Sequence, residues 1–339
     1  MKQVIWVFLL ILAASCQPID QKKSMDGSVS DYCDLAEPGI KSGGVRLISV
    51  ENRKYKVWTK RIGNNPKIKV LLLHGGPGAT HEYFESFESF LPKEGIEFYY
   101  YDQLGSAYSD QPKDSSLWVL DRFVEEVETV RKALNLDKDN FFLLGHSWGG
   151  ILAAQYALKY QQHLKGLIIS NMMMSAPLYG KYAEDVLAKQ MDPLVLKEIR
   201  EIEAKKDFSN PRYMELLMPN FYIKHILRLP IEEWPDAVNR AFAKLNNTIY
   251  TMMQGPSEFG LSGNLETWDV TKELNTIKVP TLVIGANHDT MDPEHMKWVA
   301  SQFEKGQFLL CPNGSHMSMW DDQTIYFTGL ISWLKTNGI

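Results

Sequence analysis

From residue 43 onward the chain alternates short apolar runs with amphipathic stretches. Residues 45–50 and 55–60 alternate apolar and polar side chains around Asn52-Arg53, the pattern of two strands joined by a hairpin. Six compact β-rich runs follow, at 69–73, 97–101, 140–144, 164–170, 280–284 and 307–310, each ending in a loop. Between them lie helical patterns. Leu120, Phe123, Val127, Val130 and Leu134 recur at three- and four-residue steps with charges between them, which makes one apolar helix face. Residues 151–160, 294–303 and 324–334 behave similarly. Strands alternating with helices predict an α/β fold, a mostly parallel central sheet with helices on both faces.

The alternation breaks once. Residues 175–276 are Met- and charge-rich and helix-like, with no buried strand. About 100 residues cannot be a connecting loop in a compact fold, so an inserted helical lid between two strands is expected. The organisation is therefore a core at 43–174, a lid at 175–276 and the core resumed at 277–339.

The N-terminus is a separate object. Met1-Lys2 precedes an apolar run from Val4 to Ala14. At about 11 residues the run is too short for a bilayer, which needs roughly 20. A charged start, a short apolar stretch and small residues describe an export signal. Ala13-Ala14-Ser15-Cys16 resembles a bacterial lipobox, with Ala13 where that motif usually has Leu. The resemblance implies cleavage before Cys16 and acylation of its thiol, leaving 339 − 15 = 324 residues. Residues 1–15 would be the signal peptide and the polar stretch 16–42 a tether to a membrane of the bacterial cell envelope. The competing reading is an ordinary signal peptide cut near Ala14 or Ser15.

Composition adds exclusions. With 45% hydrophobic residues the bulk of the chain is not disordered. The formal charge, 36 − 41 = −5, disfavours a nucleic-acid binder. The 3 cysteines show no zinc-ligand spacing and are too few for a disulfide scaffold. Cys33 and Cys311 could pair in an oxidising compartment, on geometry that sequence does not give.

The chemistry concentrates in Gly145-His146-Ser147-Trp148-Gly149-Gly150, which follows the apolar run 141–144 and precedes the helix start 151–154. Between a buried strand and a helix, G-x-S-x-G is a nucleophile elbow. The turn strains the serine, so its neighbours two residues either side must be glycine. Ser147 then stands clear of the sheet at the positive end of a helix. A serine hydroxyl needs a base to take its proton, and this fold orders its triad serine, acid, histidine. His316 follows the last strand and is the expected base. His288 and His295 are rivals that flank the acid candidate. His146 is expected to be structural, and His225 and His163 to be surface residues. Asp289 is the first carboxylate after the strand at 281–284, while Asp292 precedes Pro293 and is explained as a helix N-cap. Oxyanion donors are expected from the backbone N–H of Trp148 and of Gly76, within His74-Gly75-Gly76-Pro77-Gly78.

His74-Gly75-Gly76-Pro77-Gly78, Tyr101-Asp102-Gln103, the elbow, Gly255-Pro256-Ser257-Glu258-Phe259 and Gly314-Ser315-His316 together resemble the proline iminopeptidases, serine exopeptidases of the α/β-hydrolase fold. The resemblance runs from about Gly43 to the C-terminus and is strongest to the branch with the tricorn-interacting aminopeptidase. It implies removal of an N-terminal residue, often proline, from short peptides without metal or cofactor. Recognition of a charged amine in a partly dry pocket takes a carboxylate. Glu258 matches the amine-binding glutamate of the family, and Glu215 is the best match for a second, though its spacing to Phe221-Tyr222 differs by about one residue. Trp148, Phe221, Tyr222 and Phe259 could wall a pocket for a pyrrolidine ring. The family's Arg-Gly-Cys-Gly-Arg-Ser-like stretch is replaced by Leu104-Gly105-Ser106-Ala107-Tyr108-Ser109, a loop expected to border the site and to alter substrate preference. A carboxylesterase or amide hydrolase with the same triad but no interest in a free amine remains an alternative. So does a non-catalytic surface-binding lipoprotein.

Overall fold

The computed structural model describes residues 42–338. Cys16 and Cys33, with the expected signal peptide and nearly all of the tether, lie outside the described residues. All eight expected strands form: β1 (Val45–Val50), β2 (Tyr55–Ile62), β3 (Lys69–Leu73), β4 (Glu97–Asp102), β5 (Phe141–His146), β6 (Gly166–Ser170), β7 (Thr281–Ala286) and β8 (Gly306–Cys311). They make one sheet in the order β1-β2-β4-β3-β5-β6-β7-β8. β1 and β2 are antiparallel, as is β2 to β4, and every other pair is parallel.

Alternate residues of each strand feed two cores. On one face Leu71, Leu143, Ile169 and Val283 meet Phe123 and Val127 of α1 (Leu120–Ala133), Ile151 and Leu152 of α2 (Trp148–Tyr160), and Val299 of the helix Pro293–Gln302. On the other, Leu72, Phe142, Ile168 and Leu282 meet Phe84 and Phe87 of the helical segment His81–Ser89 and Tyr326 and Leu330 of the C-terminal helix Gln323–Gly338. Each such side chain contributes roughly 1.5–3 kcal/mol of burial. That explains why these strands read as unbroken apolar runs rather than alternating ones.

Between β6 and β7, neighbours in the sheet, the chain leaves to build a layer of helices. Its main members are Ala176–Tyr182, Pro193–Ala204, Pro211–Leu217, Asp236–Ala243 and Asn247–Met253. Local chemistry sets several starts. Asp192 and Asn210 each accept a backbone N–H at the N-cap and are followed by proline, whose missing N–H costs nothing at the first helical position. A single bridge, Ser175 to Asp269, is the insertion's extended pairing among the described residues. Among those residues no helix is long and apolar enough to cross a membrane. Cys311 is fully buried at the end of β8.

Candidate active site

Four loops leave the carboxyl ends of β3, β5, β7 and β8 on one edge of the sheet, and each carries an expected site residue. After β5 the chain turns through Ser147 at φ 56° and ψ −129°, a conformation that L-residues rarely adopt, and α2 begins at once. The flanking glycines are required by contact. A Cβ on Gly145 would stand 1.9 Å from the Gly149 carbonyl oxygen, and one on Gly149 would stand 2.0 Å from that of Leu73. Ser147 itself is tied down by its N–H, which donates to the Ser170 carbonyl at 3.1 Å.

His316 follows β8, and its Nδ1 lies 2.8 Å from Oδ1 of Asp289, which follows β7. Asp289 also accepts from Asn171 Nδ2 at 2.7 Å and from the Met291 N–H at 3.2 Å, so its carboxylate is oriented from several sides. Burial alone would pull the imidazole's pKa down; the Asp289 charge and hydrogen bond outweigh it and hold His316 above the ordinary value. Asp292 caps the helix Pro293–Gln302 through the Glu294 N–H, as expected. His295 sits elsewhere, its Nε2 accepting weakly from the Met174 N–H at 3.4 Å.

The separate sequence motifs are cross-linked. Gln103 accepts from Trp148 Nε1 at 2.8 Å, donates to the His74 carbonyl at 2.9 Å, and gives its backbone N–H to His74 Nε2 at 3.1 Å. His74 is fully buried, which lowers its pKa to about 4 and keeps it neutral. Its Nδ1–H therefore donates to the Gly75 carbonyl at 2.9 Å. The Gly75 N–H in turn donates to Tyr83 Oη at 2.6 Å, and Tyr83 donates to His146 Nδ1 at 3.0 Å. His146 closes the chain by donating from Nε2 to the His316 carbonyl at 2.8 Å. Burial, and then His316 nearby, lower its pKa to about 3, so it is a neutral strut within the elbow.

A cavity of about 560 Å³ lies over Ser147, with His316, Gly75, Gly76 and Tyr83 on the core side and Tyr213, Met214, Tyr222, Phe242, Tyr250 and Glu258 from the insertion. Gly76 takes φ +108°, and a Cβ there would meet the Ala79 nitrogen at 2.6 Å. The expected oxyanion donors are thus the N–H at the cavity-lining Gly76 and the first N–H of α2, at Trp148. Glu258 is half-buried. Tyr250 Oη donates to its Oε1 at 2.6 Å, and its backbone carbonyl accepts from Tyr179 Oη at 2.6 Å. Burial raises its pKa, against the pull of His316 and the Tyr250 bond. Among the described residues no ion pair reaches this carboxylate.

Several expectations need correction. Glu215 is not brought to the cavity: its side chain is 62% exposed and lies 3.6 Å from Arg212. Tyr213 and Met214 face the cavity from the helix Pro211–Leu217, and the next residue points about 100° away. A π-helical turn follows at Met218–Tyr222, between Glu215 and the Phe221-Tyr222 pair. The Trp148 indole packs edge-on against Phe123, with centroids 5.5 Å apart, beneath the site and not in its wall. Phe221 and Phe259 pack on each other at 5.1 Å in the insertion's core, and of the four aromatics only Tyr222 lines the cavity. Residues 104–109 do not border it either. They act at one remove, where the Gly105 carbonyl accepts from Asn246 Nδ2 at 2.9 Å. His225, expected on the surface, is buried at 7% exposure.

Gln103, Tyr83, Asn171, His225 and Tyr250 join the site without having been expected there. Gln103 had a signal, since it lies in Tyr101-Asp102-Gln103; the others are single polar residues with no spacing to mark them.

The α/β hydrolase fold family matches residues 69–323. A proline iminopeptidase of Flavobacterium johnsoniae is 66% identical over 282 residues, 83% of this chain and 94% of that protein. One from Elizabethkingia meningoseptica is 62% identical over 283 residues, 83% of this chain and 94% of that protein. The crystal structure of a Mycobacterium smegmatis proline iminopeptidase superposes with a TM-score of 0.75 at 26% identity, covering 87% of this chain and 98% of that one. The serine elbow and the Asp–His pair thus meet beneath a half-buried glutamate in a chain that belongs to the proline iminopeptidase family of α/β hydrolases.

Proposed function

We propose that this protein is a serine exopeptidase that releases the N-terminal residue, with proline the expected one, from short peptides through an acyl-enzyme. The observation that carries the exopeptidase part is Glu258, a half-buried carboxylate in the cavity that also holds Ser147 and His316, with no ion-pair partner among the described residues. A substrate ammonium supplies the missing charge, and the bond is of the strong, charge-assisted kind. With the amine held there, the first peptide carbonyl is presented to Ser147. His316 takes the hydroxyl proton as Oγ attacks, while Asp289 fixes the imidazole tautomer and balances its charge. The N–H groups of Gly76 and Trp148 hold the oxyanion. His316 then protonates the leaving amine, and a water activated by the same imidazole hydrolyses the ester. The finer placement beside the tricorn-interacting aminopeptidases rests on the sequence motifs His74–Gly78, Gly145–Gly150 and Gly255–Phe259.

The test compares prolyl anilide with its N-acetyl derivative on wild type and Ser147→Ala. Turnover of the free amine alone, abolished by Ser147→Ala in a folded protein, is expected. Equal turnover of the blocked substrate would make the protein an amide hydrolase or esterase.

On residues 1–16 alone we also propose export and a lipid anchor at Cys16. Cys16→Ser should move the full-length protein from the detergent phase to the aqueous phase in Triton X-114 partitioning; no change in the partition would remove the anchor.

A further inference from the structure

The loops carrying Asp289 and His316 come from different strands, and their 2.8 Å contact needs something to fix their separation. A short strap of the insertion does so from behind. The His316 N–H donates to the His225 carbonyl at 2.9 Å, and the Met317 N–H donates to the Ile226 carbonyl at 2.9 Å. The Ser315 hydroxyl lies 2.9 Å from that same Ile226 carbonyl and also contacts Asp321 Oδ2. These bonds hold the base loop. The His225 side chain reaches the other way, with Nδ1 3.0 Å from the carbonyl oxygen of His288, the residue before Asp289. A carbonyl can only accept, so Nδ1 carries the proton. His225 is buried, its ring packed 5.1 Å from that of Phe221, and it stands outside the cavity's lining.

We infer that His225 is a positioning residue for the proposed reaction, its backbone holding the base loop and its imidazole the acid loop so that Asp289 meets His316. The inference rests on the serine-hydrolase reading of the site. A lost tie lets the acid loop drift, and misplacement on the scale of 1 Å costs roughly tenfold to hundredfold in rate.

The test uses the full chain, purified in detergent, and three variants. His225→Phe keeps a ring against Phe221 and removes the donor. His225→Asn places an amide N–H where Nδ1 was. Ser147→Ala is the control for the reading beneath. Expected for His225→Phe is a loss of kcat/KM of roughly tenfold or more. The acid limb of its pH profile should move to lower pH, because Asp289 no longer supports the imidazolium. The other groups around His316 are Thr290 Oγ1 at 3.4 Å, the His146 ring at 4.9 Å, and the charges of Glu258 and Asp321. Lys224, His288 and Asp289 surround His225 itself. Apart from His288 and Asp289, which ride on the freed acid loop, the variant leaves these groups in place, so they do not account for a shift. His225→Asn should restore both rate and limb. An unshifted limb in His225→Phe, or no rescue by Asn, overturns the positioning role. Activity in Ser147→Ala overturns the reading beneath it instead. Should the Phe variant not fold, nitrogen-15 NMR of the wild-type histidines decides: the Nδ1–H form of His225 supports the tie, and the Nε2–H form ends it.

Discussion

Glu258→Gln is the sharpest perturbation of the proposed amine site. The change is isosteric, and an amide oxygen still accepts from Tyr250 Oη, 2.6 Å away in the wild type. Only the charge is removed. Truncating one partner of a buried charge pair costs about 2–5 kcal/mol, and a charge-assisted hydrogen bond is worth about 1.5–3 kcal/mol. Taking about 3 kcal/mol at about 1.4 kcal/mol per decade, kcat/KM for a free prolyl anilide falls roughly 150-fold. A small neutral ester, which has no amine, should lose less than about threefold, because the triad is untouched. Stability gives an independent sign. Burial raises the Glu258 pKa in the folded protein above its unfolded value. Ionisation therefore costs stability above the folded pKa, and that cost is absent below the unfolded pKa. At neutral pH the glutamine variant should melt at or above the wild-type temperature, and the gain should vanish in acid. Initial rates on both substrates and urea titrations at neutral and acid pH check this. Equal losses on anilide and ester, or a variant less stable at neutral pH, would refute the assignment.

Ser147→Gly should abolish fluorophosphonate labelling and, by relieving a residue held at φ 56°, raise stability by about 1 kcal/mol, whereas Ser147→Ala should abolish labelling with no such gain; urea midpoints separate the two. Gly149→Ala drives a Cβ to within 2.0 Å of a backbone oxygen that cannot yield, so a loss of about 4 kcal/mol or failure to fold is expected. Gly180→Ala, in a helix and with nothing within 4 Å, should gain about 0.5–1 kcal/mol. Similar urea midpoints for those two alanine variants would contradict the steric account of the elbow.

The elements that could be read from sequence are those under one dominant constraint. Strands buried on both faces must be apolar throughout, so β3, β5 and β7 announce themselves. The elbow needs a strand, two glycines and a helix in fixed order because a Cβ at 145 or 149 would collide with backbone. Asp289 and His316 follow from chain order once the elbow is placed. Where several constraints compete, reading fails. Glu215 depends on helix phase, and a π turn follows it at Met218–Tyr222. Trp148 adjoins the nucleophile in sequence, yet the first turn of α2 sends its ring down to Gln103 and Phe123. His225 looks like an ordinary histidine in an amphipathic segment, because the partners of its imidazole and carbonyl hydrogen bonds lie 63 residues away or more.

The insertion does more than roof the cavity, because the loops doing the chemistry are bonded to it. The Asn246 N–H donates to the Gly78 carbonyl at 2.9 Å, at the end of the oxyanion loop. Arg240 reaches Glu82 and Glu85 at 2.6 Å each, and Lys244 reaches Glu82 at 2.5 Å. Glu82 is 1% exposed, so a rigid swing of the whole insertion would strip both cations from a buried carboxylate, at a cost well above the about 1 kcal/mol of an ordinary hydrogen bond. Substrate entry is therefore better served by local movement of cavity-lining side chains than by a hinge. The same ties put Glu258, Ser147 and His316 in one frame. On the proposed reading, a peptide whose ammonium sits at Glu258 presents its first carbonyl to the serine in the same cavity, so the insertion that carries this carboxylate would turn a general acyl-transfer triad into an exopeptidase.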